Sequence, residues 1–244
     1  MTRVGLIQMT SEANPERNLT YISAEIDKLC TSGDAKPEWV ILPENALIFG
    51  QHDDYHQHAE LLRQGYYQTM LSNIASEYGI YLIVGSFPIR REKGITTTTL
   101  VFDTSGDLIT TYDKLHMFDV DVSDSHKHYR ESDTFLAGNS INVVTLPFAN
   151  IGLSICYDLR FPALFQSLRD RQSDIIIVPA AFTAVTGKAH WEVLLRARAI
   201  ETQNWIIAVN QTGTHPCGRQ TWGHSMVVSP WGEVITHLDN KPRS

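Results

Sequence analysis

Residues 152–162 read GLSICYDLRFP, and this stretch joins two kinds of sequence. An apolar run of strand character ends at Cys156, and Tyr157, Asp158 and Arg160 follow at once. A buried strand that stops at a reactive thiol and a charged turn suits an α/β protein. In such folds the working residues gather just past the carboxyl ends of strands. The plainer reading makes Cys156 a small apolar core residue, the commoner fate of a lone cysteine.

Outward from this stretch, strand and helix patterns alternate. RVGLIQM near the start reads as a strand, and Asn14 followed by Pro15 reads as an N-cap and first helical residue. Leu19, Ile22, Ile26 and Leu29 then fall on one face, which predicts a helix over 15–30. EWVILP is a buried strand, 61–78 has helical spacing with Gly79 as its stop, and IYLIVGSF is a strand. TTTTLVFDTSGDLITTYDK predicts a hairpin turning at Ser105, Gly106 and Asp107, and INVVTLPFANIGLSIC a second strand pair. PALFQSLRDR is a short helix, DIIIVPA a strand and AHWEVLLRARAIETQN a long helix in which Glu192 can pair with Arg196. WIIAVNQ and the hairpin HSMVVSPWGEVITHL complete the pattern. Hairpins together with helical crossovers mean an α/β fold with a mixed sheet.

The totals narrow the classes. The chain has 244 residues, 43% hydrophobic and 19% charged, without a linker or repeat, so one domain over 1–244 is expected. No run approaches the ~18 apolar residues of a membrane span, and the N-terminus lacks the pattern of a secretion signal, so a cytoplasmic location away from membranes is expected. Three cysteines, Cys30, Cys156 and Cys217, are too few and too scattered for a disulfide framework. The net charge of −7 and the absence of a basic cluster argue against a nucleic-acid partner. His52, His56 and His58 lie close together, as do His126 and His128, but no HExxH or paired CxxC frames them. They read as polar loop residues, and no metal or other cofactor is expected.

Two further groups stand where Cys156 stands. Glu44 follows WVILP and Lys114 follows LITTYD, each at the abrupt end of an apolar run. Singly, Glu44 could be a solvated carboxylate and Lys114 a surface lysine. Jointly, a carboxylate, an ammonium and a thiol suffice for one kind of acyl transfer. The carboxylate takes the thiol proton, the thiolate attacks a carbonyl or nitrile carbon, and the ammonium stabilises the oxyanion. Spacing alone does not bring the three together.

The segments LPEN at 42–45, YDKLHMFD at 112–119, RES at 130–132, GLSICYDLRFP at 152–162, PAAF at 179–182 and GHSMVVSPWGEV at 223–234 do so by resemblance. Together they are similar to the nitrilase superfamily of carbon–nitrogen hydrolases, over nearly the whole chain. The resemblance implies a four-layer αββα sandwich, a homodimer joined through helices near the nucleophile turn, and a small-molecule amide as substrate. It implies that Glu44 is the general base, Lys114 the oxyanion-stabilising lysine and Cys156 the nucleophile. Glu131 then orients Lys114, and the Tyr157 N–H completes the oxyanion hole. Asp158 and Arg160 brace the turn.

Within the superfamily, GKAHWEVLLRARAIETQN and GHSMVVSPWGEV look closest to the Nit-type amidases, and FDVDVSDSHKHYRESD leans toward those acting on deaminated glutathione. The alternative is an ω-amidase acting on α-ketoglutaramate or α-ketosuccinamate. An alternative of another class is a non-catalytic interaction protein with the same fold, which would not need Glu44, Lys114, Glu131 and Cys156 together. A keto-acid substrate calls for cationic or amide donors, for which Arg130, Arg160, Lys188, His190 and the backbone at Phe182 and Thr183 are candidates. The chain departs from the family pattern in having Ala163 where glutamate usually follows RFP, and in stopping at Ser244, where family members continue with a segment expected at the dimer interface.

Overall fold

A computed structural model describes residues 2–32, 35–124 and 128–244. His126 lies outside the described residues. The first half runs β1 (Val4–Leu6), α1 (Pro15–Thr31), β2 (Trp39–Ile41), α2 (His52–His58), β3 (Glu60–Leu61), α3 (Tyr66–Tyr78), β4 (Tyr81–Arg91), β5 (Gly94–Phe102) and β6 (Leu108–Asp113). Its strands form one six-stranded sheet in the order β1-β2-β4-β5-β6, with β3 paired to the far end of β4. A small ribbon of β7 (Asp119–Asp121) and β8 (His128–Arg130) follows. The second half runs β9 (Val143–Leu146), β10 (Ala149–Leu153), α4 (Pro162–Asp170), β11 (Ile175–Ala180), α5 (Ala184–Thr202), β12 (Trp205–Asn210), β13 (Thr212–Thr214), β14 (Gln220–Trp222), β15 (Met226–Val228) and β16 (Val234–His237). Its main sheet is six-stranded in the order β16-β15-β12-β11-β10-β9, while β13 and β14 pair separately. In the first sheet four parallel strands, the short β3 among them, and in the second sheet three carry antiparallel neighbours, the mixed sheet that hairpins and crossovers implied.

Side-chain alternation shows how the layers stack. Trp39, Ile41, Ile83 and Val101 join the core that contains Ile151, Leu153 and Ile177 of the second sheet. Their neighbours Val40, Leu42, Leu82, Val84 and Leu100 turn the other way, onto Leu19, Ile22 and Ile26 of α1 and Leu71 and Ile74 of α3. On the outer face of the second sheet, Leu164 and Leu168 of α4 and Trp191, Leu195 and Ala199 of α5 are buried. The order is therefore helix, sheet, sheet, helix. Each fully buried Ile or Leu contributes on the order of 1.5–3 kcal/mol of transfer free energy.

Local signals account for most boundaries. The Asn14 side chain accepts a hydrogen bond from the Arg17 N–H at 3.2 Å and starts α1, with Pro15 as its first residue. Gly79 ends α3 in the left-handed region at φ 52°. Two expectations need correction. The helical spacing over 61–78 suggested one helix, but Glu60 and Leu61 pair with Ile89 and Arg90 of β4. The Glu60 carboxylate then accepts from the N–H groups of Tyr67 and Gln68, at 2.7 and 3.1 Å, and fixes the helix start at Tyr66. His52, His56 and His58 lie on α2 and His128 on β8 rather than in loops, and only Tyr55 of α2 is buried. Polar composition hid this helix, because it has no apolar stripe.

Candidate active site

Glu44, Lys114 and Cys156 lie just past β2, β6 and β10, at the carboxyl ends of three strands in two different sheets. They line one cleft together with Glu131, Tyr157, Phe182 and Thr183. The path that places each group is local. After β2 the chain turns at Asn45, at φ 56°, whose N–H donates to the Ser86 hydroxyl at 2.8 Å. A Cβ at Gly85 would press into the Leu42 and Pro43 carbonyls, so only glycine lets β4 pass this turn. The Gln211 amide donates to the Glu44 carbonyl at 3.0 Å and so ties the turn to the second sheet.

Cys156 is itself strained, at φ 48°, a conformation that non-glycine residues seldom adopt. Asp158, fully buried, holds the strain in place. Its carboxylate accepts from the Tyr112 hydroxyl at 2.6 Å, the Ile155 N–H at 2.9 Å and the His116 N–H at 3.1 Å. His116 Nδ1 lies 2.7 Å from the same carboxylate, and its ring stacks on Phe161. Asp158 thus ties the nucleophile turn to the start of the loop that carries Lys114.

Lys114 is 1% exposed, and its Nζ donates to Glu44 Oε1 at 2.7 Å and to the two Glu131 oxygens at 2.9 and 2.8 Å. The Phe118 N–H donates to Glu131 Oε2 at 2.6 Å, which fixes the second carboxylate. Burial alone would lower the Lys114 pKa, but Glu131 and Glu44 outweigh it and hold the amine well above the usual lysine value, as an ammonium. Burial and then the Glu44 charge push the Glu131 carboxyl up, against the pull of Lys114. Burial pushes the Cys156 thiol well above its usual value, and the Glu44 charge adds to this more than Lys114 relieves it. The resting thiol is therefore protonated. It shares the cleft with the Glu44 carboxylate and with Ala181. A carboxylate bound to an ammonium and lining the same cleft as a thiol can take the thiol proton at the moment of attack.

The match of these features to known proteins is direct. A family model described as carbon–nitrogen hydrolase covers residues 3–244. This chain belongs to the carbon–nitrogen hydrolase family. The hydrolase is 48% identical over 235 residues to a Yersinia enterocolitica protein named deaminated glutathione amidase, covering 95% of this chain and 81% of that one. It is 40% identical over 166 residues to omega-amidase NIT2-B of Xenopus laevis, covering 68% and 60% of the two chains. Its structure matches that of the C. elegans NitFhit protein with a TM-score of 0.89 and 34% identity, over all of this chain and 60% of that one. The four-layer fold expected from the sequence is the one these comparisons share.

The hydrolase's remaining candidates divide. Arg130 lines the cleft rim but is exposed and engaged with Asp121 at 2.9 Å and with the Tyr129 and Val120 carbonyls. Phe182 and Thr183 line the cleft, and the Thr183 hydroxyl caps α5 by accepting from the Thr186 N–H. Lys188 and His190 instead border a hollow with Trp191, Trp222 and His237. Arg160 does not line the cleft; its guanidinium lies 3.3 Å from His190 Nδ1 and over the Tyr157 and Phe182 rings. Sequence reasoning passed over Arg219, which does line the cleft, and the supports Gln211 and His215.

His215 is buried, with Nδ1 2.7 Å from the Ser11 carbonyl and Nε2 2.8 Å from the Thr221 hydroxyl, and its ring stacks on Phe49. Burial lowers its pKa to about 4 from the usual 6.5. Between these two values the unfolded chain binds more protons than the native one, so stability falls as pH falls from 6.5 towards 4. Thermal denaturation between pH 7 and 4 is expected to show this loss, of about 3 kcal/mol at its full extent. His215→Gln is expected to remove that share of the pH dependence, whereas an unchanged profile would contradict a neutral buried His215.

Proposed function

We propose that this hydrolase is an amidase that cleaves deaminated glutathione through a thioester on Cys156, releasing α-ketoglutarate and cysteinylglycine. One observation carries the chemistry: a buried ammonium, a carboxylate and a thiol line one cleft, with Lys114 Nζ 2.7 Å from Glu44 Oε1. The substrate rests on the 48% identity to a protein named for that activity.

In the first half-reaction Glu44 takes the thiol proton as Cys156 Sγ attacks the amide carbon. Lys114 and the Tyr157 N–H stabilise the tetrahedral oxyanion. The C–N bond breaks, Glu44 returns the proton to the leaving amine, and a thioester remains. In the second half, water gives a proton to Glu44 and its oxygen attacks the thioester carbon. The C–S bond breaks, the thiol recovers the proton and the acid leaves. Glu131 holds the Lys114 ammonium in place and shares its charge, so the lysine donates to the oxyanion rather than moving protons itself.

The second reading is an ω-amidase acting on α-ketoglutaramate or α-ketosuccinamate, favoured by the 40% identity to the Xenopus protein. Release of α-ketoglutarate from deaminated glutathione and from α-ketoglutaramate, measured side by side, decides between them. The proposal expects a kcat/KM at least tenfold higher on deaminated glutathione. The reverse preference would establish the ω-amidase, and turnover of neither would contradict both.

The working unit in this reading is a cytoplasmic homodimer of one-domain chains. Val193 and Ile200 of α5, with Trp205, Ile235 and Trp231, are exposed apolar residues, Trp231 by 89%, and a dimer contact would cover apolar surface of this kind. No helix among the described residues is long and apolar enough to cross a membrane.

A further inference from the structure

Among the described residues, Arg219 is a cleft-lining cation without an ion-pair or hydrogen-bond partner for its guanidinium. Its Nε is buried and finds no acceptor, and its guanidinium lies over the Phe49 ring at 5.5 Å and the Tyr129 ring at 5.4 Å. Two aromatic faces hold the planar group in place while leaving its in-plane donors free of protein acceptors. A buried guanidinium donor without an acceptor costs free energy that a carboxylate ligand would recover.

The charges around it point the same way. Glu44 and Glu131 place two carboxylates in the cleft against the single ammonium of Lys114. An anionic substrate entering that field needs a second cation. Arg130 is occupied by Asp121 and backbone carbonyls. His215, which stacks on the other ring contact of this corner, Phe49, is neutral at pH 7. Arg219 is the cation left to meet an incoming acid.

We propose that Arg219 is the carboxylate-binding residue of the cleft, and that it selects amides bearing an acid group over neutral amides of the same length. The inference deepens the amidase reading given above and rests on it for the identity of the substrate. Deaminated glutathione carries two carboxylates, one on the keto-acid side of the scissile amide and one at the glycine end. Both present the same chemistry to Arg219.

The test combines binding with turnover. α-Ketoglutarate and cysteinylglycine are titrated separately into the wild-type enzyme, Arg219→Gln and Arg219→Lys by calorimetry. KM and kcat are measured for α-ketoglutaramate and for pentanamide, its neutral counterpart of equal length. Arg219→Gln is expected to weaken one of the two acids about 100-fold, and Arg219→Lys about tenfold, because lysine keeps the charge but loses the fork. Loss of α-ketoglutarate places the contact on the acyl side, and loss of cysteinylglycine on the leaving-group side. With an acyl-side contact, KM for α-ketoglutaramate rises in Arg219→Gln while kcat/KM for pentanamide holds. With a leaving-group contact, both amides are processed as by the wild type.

The proposal is overturned if both acids bind the wild type and Arg219→Gln equally, or if neither binds the wild type. An equal fall in kcat on both amides, with acid affinities unchanged, would make Arg219 a packing residue and overturn it too. Failure of the amidase reading has a separate signature: no amide is turned over, while Arg219→Gln still selectively weakens acid binding.

Discussion

Replacing Cys156 by alanine is expected to lower kcat/KM on every amide substrate by at least ~10⁴-fold, with the melting temperature shifted by only a few degrees. The size follows from the arrangement of the cleft. Among the described residues no second thiol or serine hydroxyl shares it with Lys114 and Glu44, so the chemical step loses its nucleophile rather than exchanging it for a poorer one. The small stability effect follows from the turn. Asp158, not the thiol, holds the strained backbone through the Tyr112 hydroxyl and the Ile155 and His116 N–H groups. Alanine adopts φ near 48° at about the cost cysteine already bears. Steady-state kinetics with a thermal melt on the same sample checks both halves. Activity within tenfold of wild type would contradict the role given to Cys156.

Lys114→Met is expected to have a large effect of a different kind. It leaves Glu44 and Glu131 buried together without the ammonium that lies 2.7 and 2.8 Å from them. Breaking a buried ion group by removing one partner costs about 3–5 kcal/mol, roughly 10 °C in melting temperature for a chain of this size. Part of that cost is relieved if one carboxylate takes up a proton, since two carboxylates sharing a site do not ionise together easily. Turnover is expected to fall by at least ~10³-fold, because the oxyanion loses its charged donor. Pairing Lys114→Met with Glu131→Gln separates the two effects. The double variant is expected to regain several degrees of stability and none of the activity. Recovery of activity in it would mean that Lys114 serves only to neutralise Glu131.

What the sequence made legible follows from which interactions are local. Glu44, Lys114 and Cys156 could be picked out because each ends an apolar strand, and a strand end is a short-range feature. Their meeting could not be read that way, since Glu44 and Lys114 are 70 positions apart. The resemblance to a known family supplied it, along with Glu131, which alone looks like any loop carboxylate. Arg219 was missed because GTHPCGRQTWG follows no helical or strand period, and its partners Phe49 and Tyr129 are remote in sequence. Gln211 was missed for the same reason, lying 167 positions from the Glu44 carbonyl it supports. Arg160, Lys188 and His190 were proposed for charge alone, and charge does not fix the side of an element on which a group emerges. The early start assigned to α3 shows the converse. Helical spacing was present from Leu61, but strand pairing and the Glu60 carboxylate set the boundary at Tyr66.

The most direct test of the account is to trap the covalent intermediate. Enzyme mixed with excess deaminated glutathione, quenched in acid within the first turnover and analysed by intact mass and peptide mapping, is expected to carry one keto-acyl group. That group is expected on Cys156, appearing and decaying no more slowly than turnover. An acyl group on Cys30 or Cys217, or product formed with no acyl-enzyme at any time, would contradict a mechanism in which Glu44 hands the proton of Cys156 from thiol to leaving group.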